Sequence, residues 1–276
     1  MKLFVYAFLV CSLSFVIGHN MYAQEPIDYG SNHGNYVTIN DTDVYYEVYG
    51  NGQPTLLLHG GLGSISDFAN VIPELSEQFK IIALDSPGHG RSQHIDTLSY
   101  TILSDYLVAF LDKLNLENVN IIGYSDGAIV GMLVSHKASD KIDKLVFGAG
   151  ALNPKASTPE GLDLLRTLRP EMLPKAFAIA YKNKSPNPEL WEDFVMASKK
   201  MWLDEVWIPS EILPHINSEV LILSGDRDPF IPLHHTIEIY NQLANGELCV
   251  VPKLQHDLFN HPESVNPVLI RFLSDD

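Results

Sequence analysis

The chain has 276 residues, of which 46% are hydrophobic, and its 18 basic and 34 acidic side chains give a net charge of −16. A chain of this length and composition can bury a large core, as one domain or as one domain with an insertion. So acidic a surface argues against nucleic acid and anionic membranes as partners, and solubility is its simplest meaning.

The first residues have the features of a secretory signal peptide. Lys2 precedes an uncharged apolar run over residues 3–17, and Gly18 and Ala23 offer two possible cleavage points. The run is shorter than the roughly 20 residues needed to span a bilayer, so a permanent membrane anchor is the second interpretation. We predict that residues 1–23 are removed and that the mature protein is exported, periplasmic or secreted, without stable membrane insertion.

Beyond that segment, strand and helix patterns alternate. Residues 36–39 and 44–49 flank a polar turn and predict a β-hairpin. Apolar runs typical of strands covered on both faces follow at 55–58, 81–84, 119–122, 144–147, 220–223 and 248–251. Helical spacing is present at 102–114, after residue 125, at 234–243 and at 262–272. The order predicts an α/β fold, a mostly parallel doubly wound sheet with the hairpin as its antiparallel edge. Cys249, in the last strand, is predicted to be buried and inert.

One stretch, from about residue 152 to 213, breaks this alternation. It has the pattern of three or four helices separated by prolines, and it contains Trp191, Trp202 and Trp207. We predict a helical cap over residues 151–216, inserted between core parts 24–150 and 217–276, above the sheet edge where open α/β folds bind ligands. Most of these aromatic side chains should dock the cap onto the core, and Trp191 and Trp202 are the candidates for contact with a substrate.

The segment from Val119 to Met132 has the pattern of a strand, a tight turn and a helix, with G-x-S-x-G at the turn. In such an elbow the serine side chain is pushed outward, and its backbone N–H lies near the helix N-terminus. Gly123 and Gly127 are expected because strand and helix pass too closely for a β-carbon. The pattern alone arises by chance in roughly one chain in ten, but its setting marks Ser125 as a candidate nucleophile.

A serine nucleophile needs a base that accepts its proton and a carboxylate that orients the base. Asp228 follows the strand at 220–223 by a short loop, and His256 follows the strand at 248–251 in the same way. The order Ser125, Asp228, His256 is the one that a strand-to-helix nucleophile elbow uses. We predict that these three side chains form a catalytic triad and that Asp226, nearer the strand, accepts backbone N–H bonds in its turn.

Backbone N–H groups around the elbow are expected to form an oxyanion hole. One donor is Asp126, and the other is Gly61 or its neighbour Leu62, in a glycine-rich loop that follows the strand at 55–58. The side chain of Asp126 has two possible roles. It could face the substrate and pair with a cationic group, or it could turn inward or cap the following helix. His59 and His89 are expected to make structural hydrogen bonds.

At these positions the sequence resembles the α/β-hydrolase superfamily. The motifs that carry the likeness are His59-Gly60-Gly61, residues 85–92, Gly123-Tyr124-Ser125-Asp126-Gly127, Gly225-Asp226-Arg227-Asp228 and His256. Aspartate after the serine resembles the biphenyl-hydrolase-like and valacyclovir-hydrolase-like subgroup, which implies small ester or lactone substrates. Serine at position 125 argues against haloalkane dehalogenases and epoxide hydrolases.

The resulting hypothesis is a serine hydrolase that works by two-step acyl transfer on a small molecule. No cofactor or metal is implied. Related chemistries left open are aminopeptidase-like hydrolysis and carbon–carbon bond hydrolysis. A second class of function, a small-molecule receptor built on the same fold, also stays open because fold alone does not fix function.

Overall fold

The computed structural model describes residues 28–30, 34–204 and 206–275. Its strands are β1 (Asn35–Ile39), β2 (Thr42–Tyr49), β3 (Gln53–Leu58), β4 (Phe79–Leu84), β5 (Val119–Tyr124), β6 (Ile142–Gly148), β7 (Glu219–Gly225) and β8 (Gly246–Val251). Its helices are α1 (Ile72–Leu75), α2 (Tyr100–Lys113), α3 (Asp126–Lys137), α4 (Pro159–Thr167), α5 (Lys175–Lys184), α6 (Trp191–Trp202), α7 (Leu233–Tyr240) and α8 (Pro262–Ser274). Among the described residues, no helix is long and apolar enough to cross a bilayer. The predicted signal peptide lies outside these residues, so export stays a prediction.

The eight strands form one sheet in the order β1-β2-β4-β3-β5-β6-β7-β8. Strands β1 and β2 run antiparallel to their neighbours, and all other pairs are parallel. The hairpin turns at Asn40 and Asp41, whose φ angles of 48° and 62° suit a two-residue turn between twisted strands. The predicted mostly parallel sheet with an antiparallel edge is confirmed.

Apolar side chains cover the sheet on both faces. On one face Phe110 of α2 and Ile129 of α3 pack with residues of the cap. On the other face Ile72 of α1 and Phe272 of α8 are buried together. Burying a side chain of this size contributes about 1.5–3 kcal/mol, so both faces hold the central strands firmly.

The register of the parallel strands brings their carboxyl ends to one edge of the sheet. Leu58 of β3 pairs with Gly123 of β5, and Gly225 of β7 pairs with Val251 of β8. The loops that follow these residues therefore emerge side by side. They are the loops on which the sequence places the candidate site residues.

Between β6 and β7 the chain leaves the sheet and forms α4, α5 and α6. We keep the name cap for residues 151–216 as a proposal about domain organisation. Inside it, the rings of Tyr181 and Phe194 stack at 4.9 Å, and Trp191 packs 5.5 Å from Tyr181. Trp191 is only 5% exposed and lies among aromatic side chains of the cap, and its contact with a substrate stays a prediction.

The prediction for Cys249 was too strong. The residue lies in β8, which is an edge strand of the sheet, and its side chain is half-buried rather than enclosed. Its partial burial still raises the pKa of the thiol, which disfavours the reactive thiolate. The raised pKa of the thiol therefore accounts for the expected lack of reactivity, but the predicted full burial of the side chain is wrong.

Candidate active site

Ser125 is the single residue between β5 and α3. Its backbone has φ 52° and ψ −114°, a conformation that a residue with a β-carbon rarely adopts. The chain holds it there from both sides: the Ser125 N–H donates to the carbonyl of Gly148 at 2.8 Å, and its carbonyl accepts from Ala128 at 3.0 Å. This strained turn points the hydroxyl out of the sheet edge.

The two glycines of the elbow are required because other backbone atoms lie too close to them for a β-carbon. A β-carbon at Gly123 would lie 2.5 Å from the carbonyl oxygen of Gly127, and one at Gly127 would lie 2.0 Å from the carbonyl oxygen of Leu58. No side chain fits at such distances, so the predicted reason for these glycines is confirmed. The first turn of α3 consequently sits against the end of β3.

The structure brings the three predicted triad residues together. The Ser125 hydroxyl lies 3.1 Å from Nε2 of His256, and Nδ1 of His256 lies 2.7 Å from Oδ2 of Asp228. Oδ1 of Asp228 accepts the backbone N–H groups of Phe230 and Ile231 at 2.8 and 3.0 Å. Because these bonds fix Oδ1, the other oxygen is held toward the imidazole.

The loop that carries Asp228 is bonded to the loop that carries His256. The Arg227 N–H donates to the carbonyl of Leu254 at 2.9 Å, and the carboxylate of Asp226 accepts the N–H of Lys253. Asp226 thus accepts a backbone N–H as predicted, but from the neighbouring loop and not from its own turn. This bracing fixes the distance between base and acid.

The proposed second arm of the oxyanion hole is a tight turn. The Gly63 N–H donates to the carbonyl of Gly60 at 3.2 Å, and Leu62 has a φ of 57°. A positive φ costs a residue with a β-carbon about 1–2 kcal/mol. Strained backbone therefore occurs on both sides of the candidate site, at Leu62 and at Ser125, and Gly61 and Leu62 both stay open as the donor.

Comparisons with known proteins agree with this fold. A family model described as the α/β hydrolase fold matches residues 53–185. The 2-hydroxy-6-oxononadienedioate/2-hydroxy-6-oxononatrienedioate hydrolase 1 of Pseudomonas putida is 28% identical over 85% of this chain and 93% of its own length. Human serine hydrolase BPHL is 27% identical over 80% of this chain and 79% of its own length. A crystal structure of a meta-cleavage product hydrolase from Pseudomonas fluorescens has a TM-score of 0.73, covers 88% of this chain and 98% of that chain, and is 19% identical.

The chain has the α/β-hydrolase fold, and residues 53–185 match the family model of that name. The predicted resemblance is confirmed, including the likeness to biphenyl-hydrolase-like proteins, since the human relative is one of them. The fold likeness extends over 88% of the chain.

Two buried histidines make structural hydrogen bonds in the loops beside the site, as the sequence predicted. His59 donates from Nδ1 to the carbonyl of Gly60 at 2.8 Å, and its Nε2 accepts the N–H of Ser86 at 3.0 Å. Nδ1 of His89 lies 3.1 Å from the carbonyl of Pro87. Burial lowers the pKa of His59 to about 4 and that of His89 to about 3, so both stay neutral and Nε2 of His59 remains an acceptor.

We expect the ring resonances of His59 and His89 to stay constant from pH 7.5 to about 5 in an NMR titration, because an ordinary histidine titrates near 6.5 and these two do not. Unfolding lets both rings bind protons near pH 6.5. They therefore contribute stability at neutral pH that is lost as the pH falls from 6.5 toward their folded pKa values. A titration midpoint near pH 6.5 for either ring would contradict the burial of that histidine in the structure.

Asp85 is a structural residue to which the sequence analysis assigned no role. It is fully buried at the end of β4, and its carboxylate accepts the N–H of Ile65 at 2.8 Å and the N–H of Arg91 at 2.7 Å. These bonds join the segment after the Gly60–Gly63 turn to the loop after β4. The signal that could have identified it is an acidic residue directly after a buried strand, followed by glycines.

A contact between α5 and the core also lies beyond what the sequence analysis could assign. The ammonium group of Lys184 donates to Ser64 at 2.9 Å and to Ser66, just after the glycine-rich turn. Burial raises the pKa of Asp67 to about 7, and the nearby positive charge of Lys184 opposes that rise. The cap is thereby bonded to the loop that carries the proposed oxyanion donor.

The side chain of Asp126 turns inward, and both of its carboxylate oxygens accept hydrogen bonds from side chains on other helices. Its Oδ1 accepts the hydroxyl of Tyr100 at 2.8 Å, and its Oδ2 accepts the indole N–H of Trp202 at 2.8 Å. Burial raises the pKa of this carboxyl, and the two donated hydrogen bonds act in the opposite direction. The sequence analysis missed Tyr100, since a tyrosine near the start of a helix carries no functional signal.

Proposed function

We propose that this α/β hydrolase is a serine hydrolase that cleaves a small ester, lactone or related acyl bond through an acyl-enzyme. The observation that carries the proposal is the continuous chain of contacts from Ser125 through His256 to Asp228, with distances of 3.1 and 2.7 Å. A hydroxyl, an imidazole and a buried carboxylate at these distances are the parts that nucleophilic acyl transfer requires.

The reaction would begin when Nε2 of His256 takes the proton of Ser125 as its oxygen attacks the substrate carbonyl. Backbone N–H groups of Asp126 and of Gly61, or Leu62, would hold the oxyanion, each contributing about 3 kcal/mol to the transition state. His256 would then protonate the leaving group. In the second step it would activate a water that releases the acyl group from Ser125.

A second candidate substrate comes from the relatives. The Pseudomonas putida relative is named for 2-hydroxy-6-oxo dienedioate and trienedioate substrates. Attack of Ser125 on a ketone carbonyl would use the same triad and oxyanion donors, with a carbon leaving group in place of an alkoxide. Parallel assays with a 6-oxo acid and with esters of similar size would rank the two chemistries.

Rapid mixing with p-nitrophenyl acetate tests the proposal. We expect a burst of p-nitrophenolate that approaches one equivalent per enzyme where deacylation is the slower step, and a mass increase of one acetyl group on the peptide that contains Ser125. If the protein were a receptor on this fold, it would instead gain thermal stability with ligand and release no p-nitrophenolate. That result would reject the enzymatic proposal.

We further propose that Asp126 favours substrates with a cationic group, such as aminoacyl esters. Its carboxylate directly follows the nucleophile, and it is 8% exposed. Asp126→Asn keeps the size and the backbone donor but removes the charge and one of the two acceptor oxygens, so both esters should lose rate. The charge adds a further loss for the cationic substrate alone, so kcat/KM for an aminoacyl ester should fall at least tenfold more than for a neutral ester of equal size. Equal losses on both esters would contradict a charge-based preference.

A further inference from the structure

One side chain of the cap reaches the residue beside the nucleophile. Trp202 is the last residue of α6, and its indole N–H donates to Oδ2 of Asp126 at 2.8 Å. Asp126 is the first residue of α3 and supplies one of the proposed oxyanion donors. The bond therefore joins the cap to the first turn of the helix that follows Ser125.

The Asp126 carboxylate is held from a second direction by the core. The Tyr100 hydroxyl, on α2, donates to Oδ1 at 2.8 Å, and Tyr100 is 4% exposed. Two donors on different elements fix the direction of a carboxylate more tightly than one. Because Asp126 begins α3, fixing its side chain also restrains the peptide whose N–H would face the oxyanion.

Trp202 also lies against the other arm of the proposed oxyanion hole. A β-carbon at Gly61 would come 2.5 Å from Cζ2 of the indole and 2.6 Å from Oδ2 of Asp126. The indole ring, the carboxylate and the Gly61 backbone are therefore in close contact. One residue of the cap touches both loops that would supply backbone N–H groups.

We propose that Trp202 is a positioning residue that couples docking of the cap to the geometry of the oxyanion hole. This inference rests on the proposed function. When the cap is docked, the indole N–H completes the bonding of Asp126 and its ring supports the Gly61 turn. When it is not, a buried carboxylate loses one donor and no longer keeps its orientation. The cap thus assembles the site as well as covering it.

Trp202→Phe tests this role because it keeps a flat ring and removes the N–H. We expect kcat on p-nitrophenyl acetate to fall about tenfold or more while KM stays within about twofold, since losing a whole oxyanion donor lowers kcat by about 10²–10³. The fall should be the same for the larger p-nitrophenyl butyrate. A changed KM with unchanged kcat, or an effect that depends on acyl length, would show that Trp202 is only a wall of the substrate pocket and would overturn the inference.

Trp207→Phe is the matched control. Trp207 is another buried tryptophan of the cap, its ring lies 5.6 Å from that of Tyr100, and among the described residues its indole N–H has no hydrogen-bond partner. The control removes an N–H from the same neighbourhood without breaking a bond, so kcat should stay within about threefold of the wild type. If both variants lost kcat equally with their folds intact, loss of the Trp202 bond would not be the cause.

A double-mutant cycle with Asp126→Ala decides whether Trp202 acts through the carboxylate. On a neutral ester, Trp202→Phe should have almost no further effect on kcat once the Asp126 carboxylate is gone. If the two residues acted independently, the fold-losses in kcat of the single variants would multiply in the double variant. Thermal unfolding of each variant checks the fold. Release of p-nitrophenolate by the wild type separates the two proposals: turnover with multiplicative effects overturns only the positioning role, and absence of any release that depends on Ser125 overturns the proposed function.

Discussion

Ser125→Ala will lower kcat on any ester substrate by about 10⁴-fold or more, with the fold unchanged. Loss of a triad nucleophile has an effect of this size because the base and the carboxylate act only through it. Among the described residues the hydroxyl makes a hydrogen bond to His256 alone, so its removal breaks no structural hydrogen bond. Alanine and serine tolerate the positive φ at position 125 about equally, so the free energy of unfolding should change little.

The measurement is a steady-state assay with p-nitrophenyl acetate, beside a thermal melt and a far-UV circular dichroism spectrum of both proteins. The substituted protein should also show no burst and no acetylated peptide. A loss of less than tenfold on a good substrate would show that another group is the nucleophile, and the serine-hydrolase proposal would then fail.

The sequence predicts the fold and the grouping of the candidate triad for a physical reason. Continuous apolar runs identify the buried strands, and parallel strands align their carboxyl ends, so residues after β5, β7 and β8 must meet at one edge. Ser125, Asp228 and His256 are each within a few residues of a strand end, and short loops limit their reach. Their proximity therefore depends on local signals and on topology, both of which the sequence contains.

The contacts of the cap could not be predicted in the same way. Trp191 and Trp202 are eleven positions apart in α6, which is about three turns, so they lie on nearly the same face but about 16 Å apart along the axis. The hydrophobic periodicity of the sequence therefore cannot distinguish the surroundings of Trp191 from those of Trp202. Docking of the cap onto the core decides that Trp202 reaches Asp126, and packing of α5 against α6 within the cap decides that Trp191 contacts Tyr181.

Hydrogen-bond partners that are distant in the chain cannot be predicted from the sequence for the same reason. Tyr100 reaches Asp126 across 26 positions and Trp202 reaches it across 76. The exposure of Cys249 depends on β8 being an edge strand, which follows from the order of the whole sheet. Side-chain direction and strand order are properties of tertiary packing, and a single sequence constrains them weakly.

Asp228→Asn will lower kcat about 10⁴-fold, whereas Asp226→Asn will change it only a few-fold. The reason lies in how Asp228 is held. Its Oδ1 accepts two backbone N–H groups, from Phe230 and Ile231, and an amide NH₂ cannot take that place. The asparagine must therefore keep its oxygen there and turn its NH₂ toward His256.

An NH₂ group facing Nδ1 of His256 donates a hydrogen bond, so Nδ1 must become the acceptor and the ring proton moves to Nε2. A protonated Nε2 cannot take the proton of Ser125, and a wrong tautomer of this kind reduces kcat by about 10⁴-fold in a serine triad. Asp226 differs because its carboxylate accepts one N–H, from Lys253, and an asparagine oxygen can do the same. Paired assays of the two variants at neutral pH, with thermal melts as the check on folding, measure the contrast directly. If Asp226→Asn abolished turnover and Asp228→Asn spared it, the acid would have to be reassigned to Asp226.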